Sequence, residues 1–143
     1  MDMDELYQEI ILDHYRNPRN AGDVSDEVLL VEEENPMCGD QIRLTARVTD
    51  GVVTDVCHDS RGCAISMASS SMMSEAVVGK PLAEARAIIE NFVELMRGEK
   101  DSDPEGMGDL IALEGVRHFP MRIKCATMCW HAIDDALNQI TRV

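Results

Sequence analysis

A chain of 143 residues with 45% apolar content is long enough to bury one hydrophobic core without disulfide staples. Its formal charge of −14, from 27 acidic against 13 basic residues, opposes the phosphate neutralisation that nucleic-acid binding requires and equally disfavours an anionic membrane. Only 3% of the residues are aromatic while ten are methionine, so the expected core is aliphatic and deformable.

The elements follow from periodicity. Met3, Leu6, Tyr7, Ile10, Ile11 and His14 recur at helical spacing, which predicts a helix from Asp4 to Arg16, stopped by the turn-forming run from Asn17 to Gly22. Three stretches rich in β-branched residues, Val28 to Glu34, Gln41 to Thr49 and Val52 to Asp59, are predicted strands. Asp50-Gly51 supplies the positive φ angles of a tight hairpin between the second and third, so an antiparallel meander is expected. From Ala64 to Gly79 a helix places Ile65, Ala68, Met72 and Ala76 on one face, with Ser66, Ser69, Ser70 and Ser74 largely on others.

Pro81 suits the first turn of a further helix, whose stripe of Leu82, Ala85, Ile88, Ile89, Phe92 and Met96 is expected to pack on the sheet. Glu99 to Gly108 has the charge, proline and glycine of an exposed loop, and Leu110 to Val116 a short helix or turn. Ile123, Ala126, Trp130, Ile133, Leu137 and Ile140 predict a final helix. The whole is expected to be one α+β domain over residues 1–143. The acidic start and the lack of a long apolar run lead us to expect a cytoplasmic protein, in which thiols stay reduced.

In that setting five cysteines, an odd number, point to metal binding or thiol chemistry rather than to disulfides. Cys38 and Asp40 share a loop between predicted strands, with Gly39 allowing the bend; a plain turn with a capping aspartate fits equally well. Cys63 opens a helix whose N-terminal dipole favours a thiolate. Cys125 lies near the start of the last helix, beside its apolar stripe. Together with Asp40 these three cysteines supply four anionic donors, the number a tetrahedral zinc site needs, although spacing leaves their convergence open. Cys57 is read as incidental, and Cys129 as a small buried hydrophobe. His14, His58, His118 and His131 are read as structural rather than ligating, and Arg122 as a cation able to stabilise negative charge beside Cys125.

The run from Leu6 to Asn20, the loop Asn35-Pro36-Met37-Cys38-Gly39-Asp40, the block from Gly62 to Met73, and Phe119 to Ala126 followed by Trp130 resemble the SufU branch of the IscU/NifU N-terminal family over nearly the whole chain. Lys124 stands where IscU proteins carry histidine. The resemblance implies a SufE/NifU-like fold with an N-terminal helix, a three-stranded antiparallel sheet and helices packed on one face. It further implies zinc held by Cys38, Asp40, Cys63 and Cys125. The implied function is zinc-dependent sulfur transfer for iron–sulfur cluster assembly, with Cys38 accepting persulfide sulfur from a SufS-type cysteine desulfurase and downstream assembly proteins as further partners. Two alternatives belong to other classes: a scaffold holding a transient iron–sulfur cluster, and a structural zinc module.

Overall fold

A computed structural model of the chain describes residues 3–36, 38–99 and 107–141. Helix α1 spans Met3–Arg16 and is closed by Asn17 N–H donating to Asp13 O at 2.8 Å. The sheet is an antiparallel meander in the order β1 (Val31–Asn35), β2 (Asp40–Thr49) and β3 (Val52–Arg61). The first strand is shorter than its composition suggested. Val28 and Leu29 both donate their N–H groups to Ser25 O, so a local turn takes the residues expected to open the strand.

Asp50 and Gly51 have φ of +52° and +77°, the primed turn that joins twisted strands. Register then shifts between Arg47 and Val48: Arg47 pairs with Asp55, but Val48 pairs with Val53. The extra residue, Thr54, faces solvent and bonds Arg47 O at 3.2 Å. The bulge lets Val53 and Val56, three apart, both point into the core. The stretch before β1 adds to the far side of β3: His58 N–H donates to Asn20 O and Gly22 N–H to His58 O, a parallel bridge beyond the meander.

Helix α2 (Ala64–Val77), helix α3 (Leu82–Met96), a 3-10 segment (Gly108–His118) and helix α4 (Pro120–Thr141) complete the α+β arrangement. Two expectations change here. First, α2 is not amphipathic in the expected sense: Ser66, Ser69, Ser70, Ser71 and Ser74 are buried, while Ile65 and Ala76 of the predicted stripe are only half-buried. Because α2 is enclosed by α1, β3, α4 and the 3-10 segment, it has few faces left for water. Second, α3 packs chiefly on α4 and the 3-10 segment and only grazes β3, because α4 and α2 already cover the inner face of the sheet. Phe92 of α3 stacks on Trp130 of α4 with ring centroids 4.3 Å apart. The loop expected from Glu99 to Gly108 lies almost wholly outside the described residues.

The core gathers Ile42, Leu44, Val53, Met72, Met73, Phe92, Leu113, Trp130, Ile133 and Leu137 into one aliphatic cluster around that aromatic pair. Ser69 connects the buried layers. Its hydroxyl donates to Ala126 O at 2.6 Å and accepts from Trp130 Nε1 at 3.0 Å. Ser69→Ala deprives the buried indole N–H of its acceptor, which should cost about 1–3 kcal/mol. The expected result is a lower urea midpoint at unchanged slope; a midpoint equal to that of the parent chain would show that Trp130 finds another partner.

Candidate metal and thiol site

The β1–β2 connection is a tight turn. Gly39 N–H donates to Asn35 O at 2.8 Å and Cys38 N–H to the same oxygen at 3.3 Å, and Gly39 takes the left-handed φ of +74° that a side chain would resist. Asn35 and Asp40 are register partners across the turn, so Asp40 enters β2 as its first residue. Its carboxylate is fully buried, whereas Cys38 at the tip is exposed.

β3 ends at Arg61, and Cys63 caps α2 with its sulfur accepting from Ser66 N at 3.4 Å. The Cys63 backbone N–H, one of the donors a helix start leaves free, donates to Asp40 Oδ1 at 2.9 Å. Asp40 Oδ2 accepts from Cys38 Sγ at 2.8 Å and lies 3.8 Å from Cys63 Sγ. Cys125, in the second turn of α4, places its sulfur 3.3 Å from that of Cys38. The sulfurs of Cys38 and Cys125 and a carboxylate oxygen of Asp40 therefore lie within 4.8 Å of one another, and Cys63 joins them through Asp40. Three of the four sequence-selected residues, Cys38, Asp40 and Cys125, form one donor group, and Cys63 borders it with its sulfur 3.8 Å from Asp40 Oδ2.

The electrostatics follow from crowding. Burial pushes the Asp40 carboxyl up, but hydrogen bonds from Cys38, from the Cys63 backbone and from the Cys125 and Cys63 thiols together outweigh it and hold it below the usual range. The Cys125 thiol is pushed well up, first by burial and then by its bonds to Asp40 and Cys38. Arg122 projects toward this cluster; the charge on Cys63 and a hydrogen bond with Cys125 raise its guanidinium further. Lys124 is exposed on the same helix.

The remaining candidates stand apart. Cys57 is half-buried on β3 beside Gly22, and burial pushes its thiol up. Cys129 is buried on α4 against Ser69, 3.5 Å away, and desolvation carries it up to about 11. His58 is buried between Ser60 Oγ and Arg19 O, both at 2.9 Å, and burial lowers its affinity for a proton. His118 and His131 are exposed.

Two features of the site have no counterpart among the sequence expectations. Gly62 has φ of +148°, and a Cβ there would meet Asp40 Oδ1 at 2.1 Å and Asp40 Cγ at 2.8 Å. Its signal was a glycine directly between a strand and a capping cysteine. Phe119 and Met121, 63% and 70% exposed, form an apolar lip where α4 begins; in the sequence their motif carries only the family resemblance.

The family described as NifU-like N terminal domain matches residues 6–126. The chain is 44% identical to the zinc-dependent sulfurtransferase SufU of Bacillus subtilis (strain 168), over 95% of this chain and 92% of that protein. It is 38% identical to the iron–sulfur cluster assembly scaffold protein IscU of Streptococcus pyogenes serotype M1, over 96% of this chain and 86% of the relative. Among solved structures, a nitrogen-fixing NifU-like protein (N-terminal) from Brucella abortus superposes with a TM-score of 0.84 at 26% identity, covering 98% of this chain and 97% of the other.

The Gly62 contact gives a direct check on the packing around Asp40. Gly62→Ala should destabilise the protein more than Gly98→Ala, because Gly98 also has a left-handed φ, +76°, but nothing near its added Cβ. The backbone penalty alone is about 1 kcal/mol, and the collision with Asp40 adds to it. Equal losses in thermal or urea unfolding would show that the Asp40 carboxylate moves aside freely.

Proposed function

The chain belongs to the NifU-like N-terminal domain family of iron–sulfur cluster assembly proteins, and we propose that within it the protein is a zinc-dependent sulfurtransferase of the SufU type. Its zinc ligands are Cys38, Asp40, Cys63 and Cys125, and its donor is a SufS-type cysteine desulfurase acting in the cytoplasm. Cys38, Asp40 and Cys125 converge and Cys63 lies beside them, 3.8 Å from Asp40 Oδ2, a donor set of three soft sulfurs and one carboxylate that suits a tetrahedral zinc ion. When bound, zinc supplies redox-inert charge that keeps thiolates deprotonated at neutral pH.

The observation that carries the reading is the unequal burial of the donors. Cys38 is exposed on a glycine turn, while Asp40 is fully buried and Cys125 is 1% exposed. Cys38 is thus the thiolate that a partner's persulfide reaches. Its sulfur attacks the terminal sulfur of that persulfide; a new S–S bond forms on Cys38, the partner's S–S bond breaks, and the partner's cysteine leaves as a thiolate. The proton carried by the terminal sulfur stays with it. Asp40 keeps its bond to the Cys63 N–H throughout, and the Arg122 guanidinium offsets the negative charge left beside Cys63 and Cys125.

Lys124 separates this reading from a cluster scaffold, since an ammonium at that position offers no neutral donor to a two-iron cluster. The stretch from Asn91 to Glu114 is not free as a whole to dock a partner. Phe92, Val93, Leu95, Met96 and Leu110 to Leu113 are buried in the core. Docking falls more naturally to the exposed Phe119 and Met121, at the start of the helix that carries Cys125.

The protein as purified should be colourless, hold zinc, and accelerate cysteine turnover by the desulfurase. With labelled cysteine as sulfur source, mass spectrometry should find the label on the Cys38 peptide. Label on Cys125 alone would move the acceptor role there, and a stable coloured cluster without stimulation would favour the scaffold. Asp40→Ala should retain zinc through the three thiolates yet change the transfer rate; transfer kinetics equal to the parent's would leave Asp40 without a mechanistic part.

A further inference from the structure

On the side of the molecule where α1, α2 and the 3-10 segment meet, a second set of ligating groups converges. His14, in the last turn of α1, is completely buried. Its Nδ1 lies 2.8 Å from Ser71 Oγ on α2, and its Nε2 lies 2.8 Å from Asp109 Oδ2 on the 3-10 segment. Glu75 follows one turn after Ser71 on α2. One ring nitrogen of His14 and one oxygen from each of Glu75 and Asp109 lie within 4.8 Å of one another. The two carboxylate side chains are 51% and 48% exposed, so the cluster is closed by protein behind the imidazole and open to water in front.

Charge at this junction is unbalanced. Asp13 and Glu75 share the Arg19 guanidinium at 2.8 and 3.4 Å, and Asp109 adds a third carboxylate. Three carboxylates around one guanidinium and the His14 imidazole make a setting that favours a cation. The imidazole is also held as metal-bound imidazoles are, with its second nitrogen fixed by a neighbour. That neighbour, Ser71 Oγ, is itself anchored by the Arg19 backbone N–H at 2.8 Å.

We propose that His14 Nε2, Glu75 and Asp109 form a second divalent-cation site, separate from the thiol cluster, for a transition ion of borderline hardness with water completing its shell. Loading it shifts the ring proton to Nδ1, facing Ser71 Oγ, and replaces the His14–Asp109 hydrogen bond with ligation. The ion then clamps α1 to α2, which Cys63 caps, and to the 3-10 segment, which runs into the helix bearing Cys125. Its role is to set the spacing between those two thiols.

The donor sets make the two sites spectroscopically distinct. Titrating the metal-free full chain with cobalt(II) should first produce intense thiolate-to-cobalt charge-transfer absorption, then a second equivalent that adds only weak visible bands of a nitrogen and oxygen shell. Asp109→Asn and Glu75→Gln keep size and alter half-exposed side chains, so each should keep its melting profile and the first equivalent while losing the second. Saturation of the parent after the thiolate bands, or a second equivalent surviving in both variants, overturns the proposal. Absence of the thiolate bands would instead strike at the zinc reading of the cysteine cluster and leave this site to be judged on the weak bands alone.

Discussion

The bond from the Cys63 backbone N–H to the Asp40 carboxylate is the contact through which the thiol site is assembled. It joins the first residue of one strand to the first turn of a helix that begins after the next strand. Burying a carboxylate is costly unless donors surround it, and here the donors are the site itself: one helix-start N–H and the neighbouring thiols. Without that anchor the α2 cap keeps only the longer Cys63 Sγ contact to Asp40, while the β1–β2 turn still meets the α4 cysteine through Cys38. The same contact dictates glycine at position 62, because the chain passes so close to the carboxylate that a Cβ has no room.

Much of this was readable beforehand, and the reasons differ by element. The hairpin at Asp50-Gly51 and the long helices declare themselves locally, through turn chemistry and single-face periodicity. The four candidate ligands stand out in the sequence because three cysteines and an aspartate at element ends are chemically unusual together, and the resemblance joins them. What was missed depends on neighbours distant in sequence. Whether Ser66 or Ile65 faces water is decided by how many elements enclose α2, and periodicity within the helix carries no trace of that. The landing of α3 on α4 rather than on the sheet follows from which helices occupy the sheet first. The bulge at Thr54 was invisible because β3 looks like an ordinary run of β-branched and polar residues until its partner is known. Gly62 needed the position of Asp40, more than twenty residues earlier.

The exposure of Cys38 and the burial of Cys125 also arise from topology rather than from the cysteines. A turn between two strands projects beyond the sheet edge, whereas α4 crosses beneath the sheet and carries Cys125 into the interior. A set of identical thiol side chains thereby acquires unequal access, with Cys38 open to solvent, Cys63 half-buried and Cys125 enclosed.

The buried serines of α2 have a consequence of another kind. Oily side chains attract one another without strong directional preference, so a helix held only by them tolerates small rotations and slides along its axis. Hydroxyls do not. Ser69 reaches Ala126 O and Trp130, Ser71 meets His14 and the Arg19 backbone, and Ser74 reaches Arg19 O. These bonds lie on different sides of the helix and at different heights along it, so no single rotation or shift preserves them all. They fix the azimuth and elevation of α2 much as keyways fix a shaft, and the sulfur at its tip inherits that indexing.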